Sequence, residues 1–287
     1  MAQITAALVK ELREITGAGM MECKKALTEV EGDIEKAIDE LRKHGLAAVA
    51  KKAGRATNEG TVMAIIDDSA TTGAIVQVNC ETDFVGINEK FHGYANKIAK
   101  AVIATSGDVT IDNVKTCELD AENVEEIVID CIHVMGENCE ISKVAKVSAD
   151  GVAAYVHAGG KIGVLVTFNL EGIDPATEGF QTCARDVAMQ VAATNPVAAT
   201  REDVSEEIKN HEMEIYKAQA AESGKPENIQ EKIAEGRMHK FYAENCLAEQ
   251  GFVKDPDKTV TEYVDACAKE LGGKASIKGF VRFQLGE

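Results

Sequence analysis

Tryptophan is absent from this 287-residue chain, proline occurs only four times, and aromatic residues make up 5% of it. So little proline among plentiful aliphatic residues argues against a disordered or fibrous chain and favours a helix-rich globular protein, long enough for two or three compact units. Positive charge is also short, since 31 Lys and Arg stand against 48 Asp and Glu, a net charge of −17. A nucleic-acid groove or an anionic membrane surface needs clustered cations to neutralise phosphate, so the expected partner is another protein. No apolar run approaches membrane-spanning length. The first residues, MAQITAALVKELREI, carry acids and enter an amphipathic helix directly. They lack a signal peptide's apolar core and a transit peptide's acid-poor pattern, so a cytoplasmic location is expected.

Patterns for catalysis and metal binding are missing too. The eight cysteines (Cys23, Cys80, Cys117, Cys131, Cys139, Cys183, Cys246 and Cys267) form no CxxC pair and are expected to be reduced, buried fillers. The six histidines lie apart in sequence, with no HExxH, GxSxG, Walker-type or GxGxxG motif, and Gly159-Gly160-Lys161 is more simply a hairpin turn. Glu81 and Asp83 stand two residues apart, as an acid pair would, yet a hard-metal site needs more oxygen ligands than surround them. The expectation is a protein that is not an enzyme, with no cofactor and no metal.

What the chain does have is periodicity. Residues 1–50 carry apolar positions spaced by three and four (Leu8, Leu12, Ile15; Cys23, Ala26, Leu27, Val30; Ile34, Ala37, Ile38, Leu41), which predicts three short helices separated at Gly17 and Gly32. Asp33 is placed to cap the third helix and Gly45 to end or relax it. A polar, Gly-containing linker is expected at 51–59. From Gly60 the period becomes strand-like: TVMAIID and GAIVQVN flank the turn DSATT, and a helix capped by Asn88 follows with Phe91, Ala95, Ile98 and Val102 on one face. The same order returns about ninety residues later. GVAAYVHAGG and IGVLVTFN precede a helix expected to open at Asp174-Pro175, with Phe180, Ala184, Val187 and Val191 at the same spacing. GAIVQVNCE at 73–81 aligns without a gap on GVLVTFNLE at 163–171. The fold class expected is α+β, with a duplicated strand-strand-helix core divided into units 60–150 and 151–287. Between the copies, a helix from Asp120 to about Met135 precedes the strand CEISKVAKVSAD. Helices at 201–222 and 226–248, around the turn SGKPEN, predict an antiparallel hairpin inserted at about 200–248. A helix near 260–271 and a closing strand, ASIKGFVRFQL, end the chain.

The two copies part at one place. After Asn-x-Glu-like exits from the second strand, copy two continues GIDP, whereas copy one inserts TDFVGI before Asn88. The scaffold does not require a Phe there. From the residues alone, Phe84 either folds back as a hydrophobic staple on its own helix or serves a partner. Met20 and Met21, in GAGMMECKKAL, follow two glycines at a helix-helix turn and suit an adaptable binding surface, for which one of the pair facing outward would suffice.

These segments resemble a family. LREITGAGMMECKKALTEVEGDIEKAIDELR is similar to the ubiquitin-associated-like (UBA-like) N-terminal domain of bacterial and organellar translation elongation factor Ts. VNCETDFV resembles that family's most distinctive motif, and SGKPENIQEKIAEGRMHKFYAE with FVKDPDKTV resembles later segments. The resemblance implies a guanine-nucleotide exchange factor that releases GDP from elongation factor Tu through a three-helix domain, a duplicated core and a protruding helical hairpin. It implies that Asp83 and Phe84, with neighbours Thr82 and Val85, intrude near the GTPase's magnesium and phosphate site. It implies further contacts at Met20, Met21, Met135, Gly136, Glu137, Asn138 and His157. The implied partner is elongation factor Tu, GDP-bound and nucleotide-free, with a homodimer or a heterotetramer compatible with the family. The sequence departs from the pattern at Gly86, where Ala or Ser is usual, and reaches FVRFQLGE where longer members continue into a further helix. The runner-up reading is a protein-binding adaptor whose first domain captures a partner with no effect on nucleotide.

Overall fold

The computed structural model describes residues 4–16, 18–222, 224 and 226–287. Helices α1 (Ala6–Thr16), α2 (Met20–Glu29) and α3 (Ile34–Lys52) surround Val9, Leu12, Cys23, Ala26, Leu27, Ala37 and Leu41. Asp33 caps α3 by accepting the Lys36 amide at 3.1 Å. Val9 rather than Ile15 joins Leu12 in the core, and Ile15 is left exposed. Helix α3 does not end at Gly45 but runs on to Lys52. A lone glycine costs a helix only about 1 kcal/mol, and the Lys52 ammonium is tied to Ile132 O at 3.0 Å. Gly17, the expected separator, lies outside the described residues.

The next elements are β1 (Glu59–Ile66), β2 (Thr72–Cys80), the single turn α4 (Asp83–Gly86) and α5 (Glu89–Ala104). A small hairpin of β3 (Glu118–Leu119) and β4 (Glu122–Asn123) leads to α6 (Val124–Met135) and β5 (Cys139–Ser148). Helix α6 starts later than expected because Asp120 and Ala121 take positive φ to reverse the hairpin, leaving Asn123 and Glu126 to form the capping box. The second unit comprises β6 (Gly151–His157), β7 (Ile162–Glu171) and α7 (Glu178–Thr194). Asp174 does not open α7; its carboxylate caps a preceding turn by accepting the Ala176 amide at 3.0 Å.

Helices α8 (Glu206–Ala221) and α9 (Glu227–Asn245) pair through Ile208, Met213, Tyr216, Met238 and Phe241. Helix α8 begins at its Ser205 cap rather than at 201, where Arg201 instead pairs with Glu249 at 2.6 Å. Ser223 and Lys225 of the expected SGKPEN turn lie outside the described residues. The chain closes through β8 (Gly251–Phe252), β9 (Asp255–Thr259), α10 (Val260–Glu270) and β10 (Lys274–Gln284).

The fold is α+β, built on two antiparallel three-stranded sheets of matching order, β1-β2-β5 and β6-β7-β10. In each, the second strand of the unit is central and buried along most of its length, which explains its short, nearly continuous apolar run. Helices α5 and α6 cover the first sheet, α7 and α10 the second, and the sheets meet through Val62, Ala64, Ile75, Val152 and Leu165. The aligned glycines Gly73 and Gly163 permit this approach. A Cβ on Gly163 would stand 2.4 Å from Val62 Cγ1, and one on Gly73 2.9 Å from Val152 Cγ1. Among the described residues, no helix is long and apolar enough to cross a membrane.

Candidate functional site

The site grows from the end of a ladder. The pairing of β2 with β5 stops at Cys80 opposite Cys139, and beyond it the chain has backbone N–H groups without a strand partner. An unmet donor in a half-buried place costs about 1–3 kcal/mol, so an acceptor must be found. Glu137 supplies it: Oε2 accepts the amides of Glu81 at 3.1 Å and Thr82 at 3.0 Å, and Oε1 accepts the Thr82 hydroxyl at 2.6 Å. Glu81 reaches the other way, accepting the Asn138 amide at 2.6 Å, with the Arg55 guanidinium 3.3 Å away. The Asn138 amide, and then Arg55, hold the Glu81 carboxyl below its ordinary range. Glu81 is therefore occupied with structure and is not half of an acid pair with Asp83.

From this base Thr82 caps the single turn α4, accepting the Val85 amide at 3.5 Å. Gly86 lies flat on β1: a Cβ there would stand 3.0 Å from Gly60 O. The His92 ring closes the far end, 2.8 Å from Gly86 O. Val85 packs inward on the core of the first unit. With residues on both sides held, Phe84 is left 79% exposed and Ile87, one turn on, 70% exposed. Phe84 is thus not a staple on its own helix. Asp83 beside it is also exposed.

The structure brings Thr82, Asp83, Phe84 and Val85 together with Glu137 and Asn138, but the members differ in what they offer. Asn138 is 8% exposed and donates from Nδ2 to Arg55 O at 3.1 Å, while Met135 is partly buried against the core. Gly136, in the left-handed conformation that ends α6, is exposed. Met20 and Met21 start α2, 56% and 76% exposed, so both face outward where one would have sufficed. Their helix reaches toward α6, since the Glu22 carboxylate lies 3.6 Å from His133 Nε2, an ion-pair distance beyond hydrogen-bond reach. His157 ends β6 in the second sheet, exposed, with its Nδ1 2.9 Å from the Tyr155 hydroxyl.

Ile87 and Ile15 are exposed apolar residues that sequence reasoning missed. Ile87 had a signal, because it belongs to the TDFVGI insertion and falls three residues after Phe84, on the same face of a helical turn. Ile15 had none, since its spacing fits a core position. A cleft of about 660 Å³ between α7 and α10, lined by Cys183, Lys258, Tyr263 and Cys267 among others, shares no residue with this site. Glu29, Glu40 and His44 bring ligand-type atoms within 4.8 Å of one another, but they are partly exposed and Glu40 already pairs with Lys43 at 2.6 Å.

The anchored turn thus presents an acid and two large apolar side chains to the outside of the molecule. Comparison with known proteins agrees with the motif that forms it. A family model described as "Elongation factor TS" matches residues 81–287. Proteins named "Elongation factor Ts" from Trichlorobacter lovleyi and from Clostridium botulinum strain Alaska E43 are each 47% identical to the chain, covering 99% of it and 93% of their own length. Another, from Clostridium botulinum strain ATCC 19397, is 44% identical with the same coverage. With the family model spanning most of the chain and such relatives spanning nearly all of it, this translation elongation factor belongs to the elongation factor Ts family.

Proposed function

We propose that this protein releases GDP from elongation factor Tu by inserting the Asp83–Phe84 turn near the magnesium and phosphate site of the GTPase. The observation that carries this reading is the exposure of Phe84 on a turn whose flanks are tied down. GTPases hold GDP through magnesium, a lysine and a cradle of backbone amides, so a small displacement removes several contacts together. Burying Phe84 in the partner gains about 1.5–3 kcal/mol, which offsets part of the cost of moving GTPase helices. Asp83, an acceptor when ionised, competes for polar groups that organise the magnesium shell. Because linkage is reciprocal, nucleotide re-entry weakens the factor's hold and expels it, so the cycle turns without covalent chemistry.

In this reading the factor binds both the GDP-loaded and the nucleotide-free partner, in the cytoplasm. Met20 and Met21 on the UBA-like bundle provide a separate docking surface, and the exposed Gly136 and His157 serve as further contacts. Stopped-flow release of fluorescent GDP from purified elongation factor Tu tests it. Acceleration that saturates with this chain is expected. Binding with no change in the release rate would refute exchange and leave the adaptor reading, in which the exposed methionines alone carry the contact.

A further inference from the structure

We propose that Glu137 is a positioning residue for exchange, the acceptor that fixes the direction in which the Phe84 turn leaves the sheet, rather than a contact with the GTPase. The inference rests on the exchange reading above but concerns atoms within this chain. Two carboxylates are swapped across the open end of the β2–β5 ladder: Glu137 takes the Glu81 and Thr82 amides, and Glu81 takes the Asn138 amide. The groups these two side chains satisfy are all donors, so an acceptor-only side chain from just beyond each strand is a matching solution.

The Thr82 hydroxyl shows why this governs aim and not merely stability. A hydroxyl has one proton and two lone pairs. Glu137 Oε1, at 2.6 Å, takes the proton, which leaves lone pairs for the Val85 amide and so makes Thr82 the cap of α4. Asp83 and Phe84 are the first two residues of that turn. The angle of Phe84 therefore follows from where Glu137 holds Thr82. Both oxygens of Glu137 are engaged inside the factor, whereas Phe84, two residues beyond Thr82, is open.

Conservative and radical variants separate positioning from contact. In Glu137→Gln the amide oxygen still accepts the two backbone N–H groups, and its nitrogen can donate to Thr82 Oγ1, so the clamp survives while the charge is lost. Glu137→Ala removes the clamp and the charge together. Two readouts apply: GDP release at saturating factor, and amide hydrogen exchange of residues 81–87 in the free full-length factor. We expect Glu137→Ala to slow release roughly tenfold, the scale of losing charge-assisted hydrogen bonds, and to raise hydrogen exchange at 81–87. Glu137→Gln should stay within about threefold of the wild type in both. In a Phe84→Ala background, Glu137→Ala should add little further loss, because its effect runs through that side chain.

If Glu137→Gln and Glu137→Ala slow release equally while protection of 81–87 is unchanged in both, Glu137 is a partner contact and the proposal is wrong. Should Glu137→Ala fail to fold, Thr82→Val, which removes only the hydroxyl, must slow release with the fold intact; a wild-type rate would overturn the proposal. A wild-type factor that does not release GDP would refute the exchange reading, and the hydrogen-exchange arm would still decide whether Glu137 holds the turn.

Discussion

The two units of the core leave their central strands differently, although the scaffold is the same. Copy two exits β7 through Glu171, Gly172 and Ile173, and Ile173 tucks against the core of its own unit. A Cβ on Gly273 would stand 2.6 Å from Ile173 Cγ1, so the tuck is close. Copy one exits β2 into α4 and turns Phe84 and Ile87 outward. An apolar residue at this exit can be buried at home, as Ile173 is. The exposure of Phe84 is therefore not forced by the architecture; it is maintained by a second set of contacts at Glu137, Gly60 and His92.

The strongest way to break this comparison is to truncate both residues. Phe84→Ala should slow GDP release at saturation by roughly thirtyfold, corresponding to about 2 kcal/mol of lost burial in the partner, while leaving the melting temperature of the free factor unchanged. Ile173→Ala should do the reverse, destabilising the free factor by about 1–2 kcal/mol with the release rate at saturation preserved. Thermal melts and stopped-flow release measure both; a large loss of stability in Phe84→Ala with normal exchange would erase the distinction. Asp83→Ala should slow release by about fivefold, and because it shares one small site with Phe84, the double variant should lose less than the product of the two.

Met20 and Met21 belong to the bundle and not to the Phe84 turn, so under the exchange proposal replacing both by Ala should raise the factor concentration giving half-maximal release by about threefold to tenfold with the maximal rate intact. A fall in maximal rate at all concentrations would place them in the displacement step instead. Glu81 sharpens the comparison through pH, since its carboxyl is held below its ordinary 4.5 by the Asn138 amide first and Arg55 second. Its contribution is complete above 4.5 and disappears as pH falls through the depressed value. Hydrogen exchange or melting of Glu81→Gln should therefore show a shallower acid-side loss than the wild type, and identical acid profiles would remove Glu81 from the clamp. The smallest effect is expected from reductant or chelator, which should leave folding and exchange unchanged. Burial pushes the Cys80 thiol up to about 12 and raises that of Cys183, while the neighbouring Cys139 thiol, and then burial, raise that of Cys131. Only Cys267 is partly exposed among the thiols, so it should react first with a thiol reagent under native conditions. A measured disulfide or bound metal would contradict this.

Much of the fold was legible because it rests on local periodicity. Phe91, Ala95, Ile98 and Val102 recur at helical spacing and all are buried; Asn88 and Asp33 sit at caps and accept the expected amides. The gapless match of GAIVQVNCE to GVLVTFNLE corresponds to the central strands of two sheets with the same order. Element starts were less legible. At 120–123, 174–177 and 201–205 a hairpin, an Asp-capped turn and an ion pair each displaced the helix start by several residues, and such contacts depend on groups that spacing does not reveal.

The sequence by itself determined the helices and strands, the duplication, and the inserted TDFVGI that singles out Phe84, since each is written in the order of neighbouring residues. Tertiary structure alone decided that Phe84 and Ile87 face outward, that both methionines are exposed, and that Glu137, fifty-five residues from Thr82, holds the turn. The physical reason is that burial and hydrogen-bond satisfaction are properties of where distant segments meet. An Asp-Phe pair reads the same in sequence whether it caps its own helix or projects from it, until the end of the β2–β5 ladder leaves backbone donors that the Glu137 carboxylate, just before β5, accepts from.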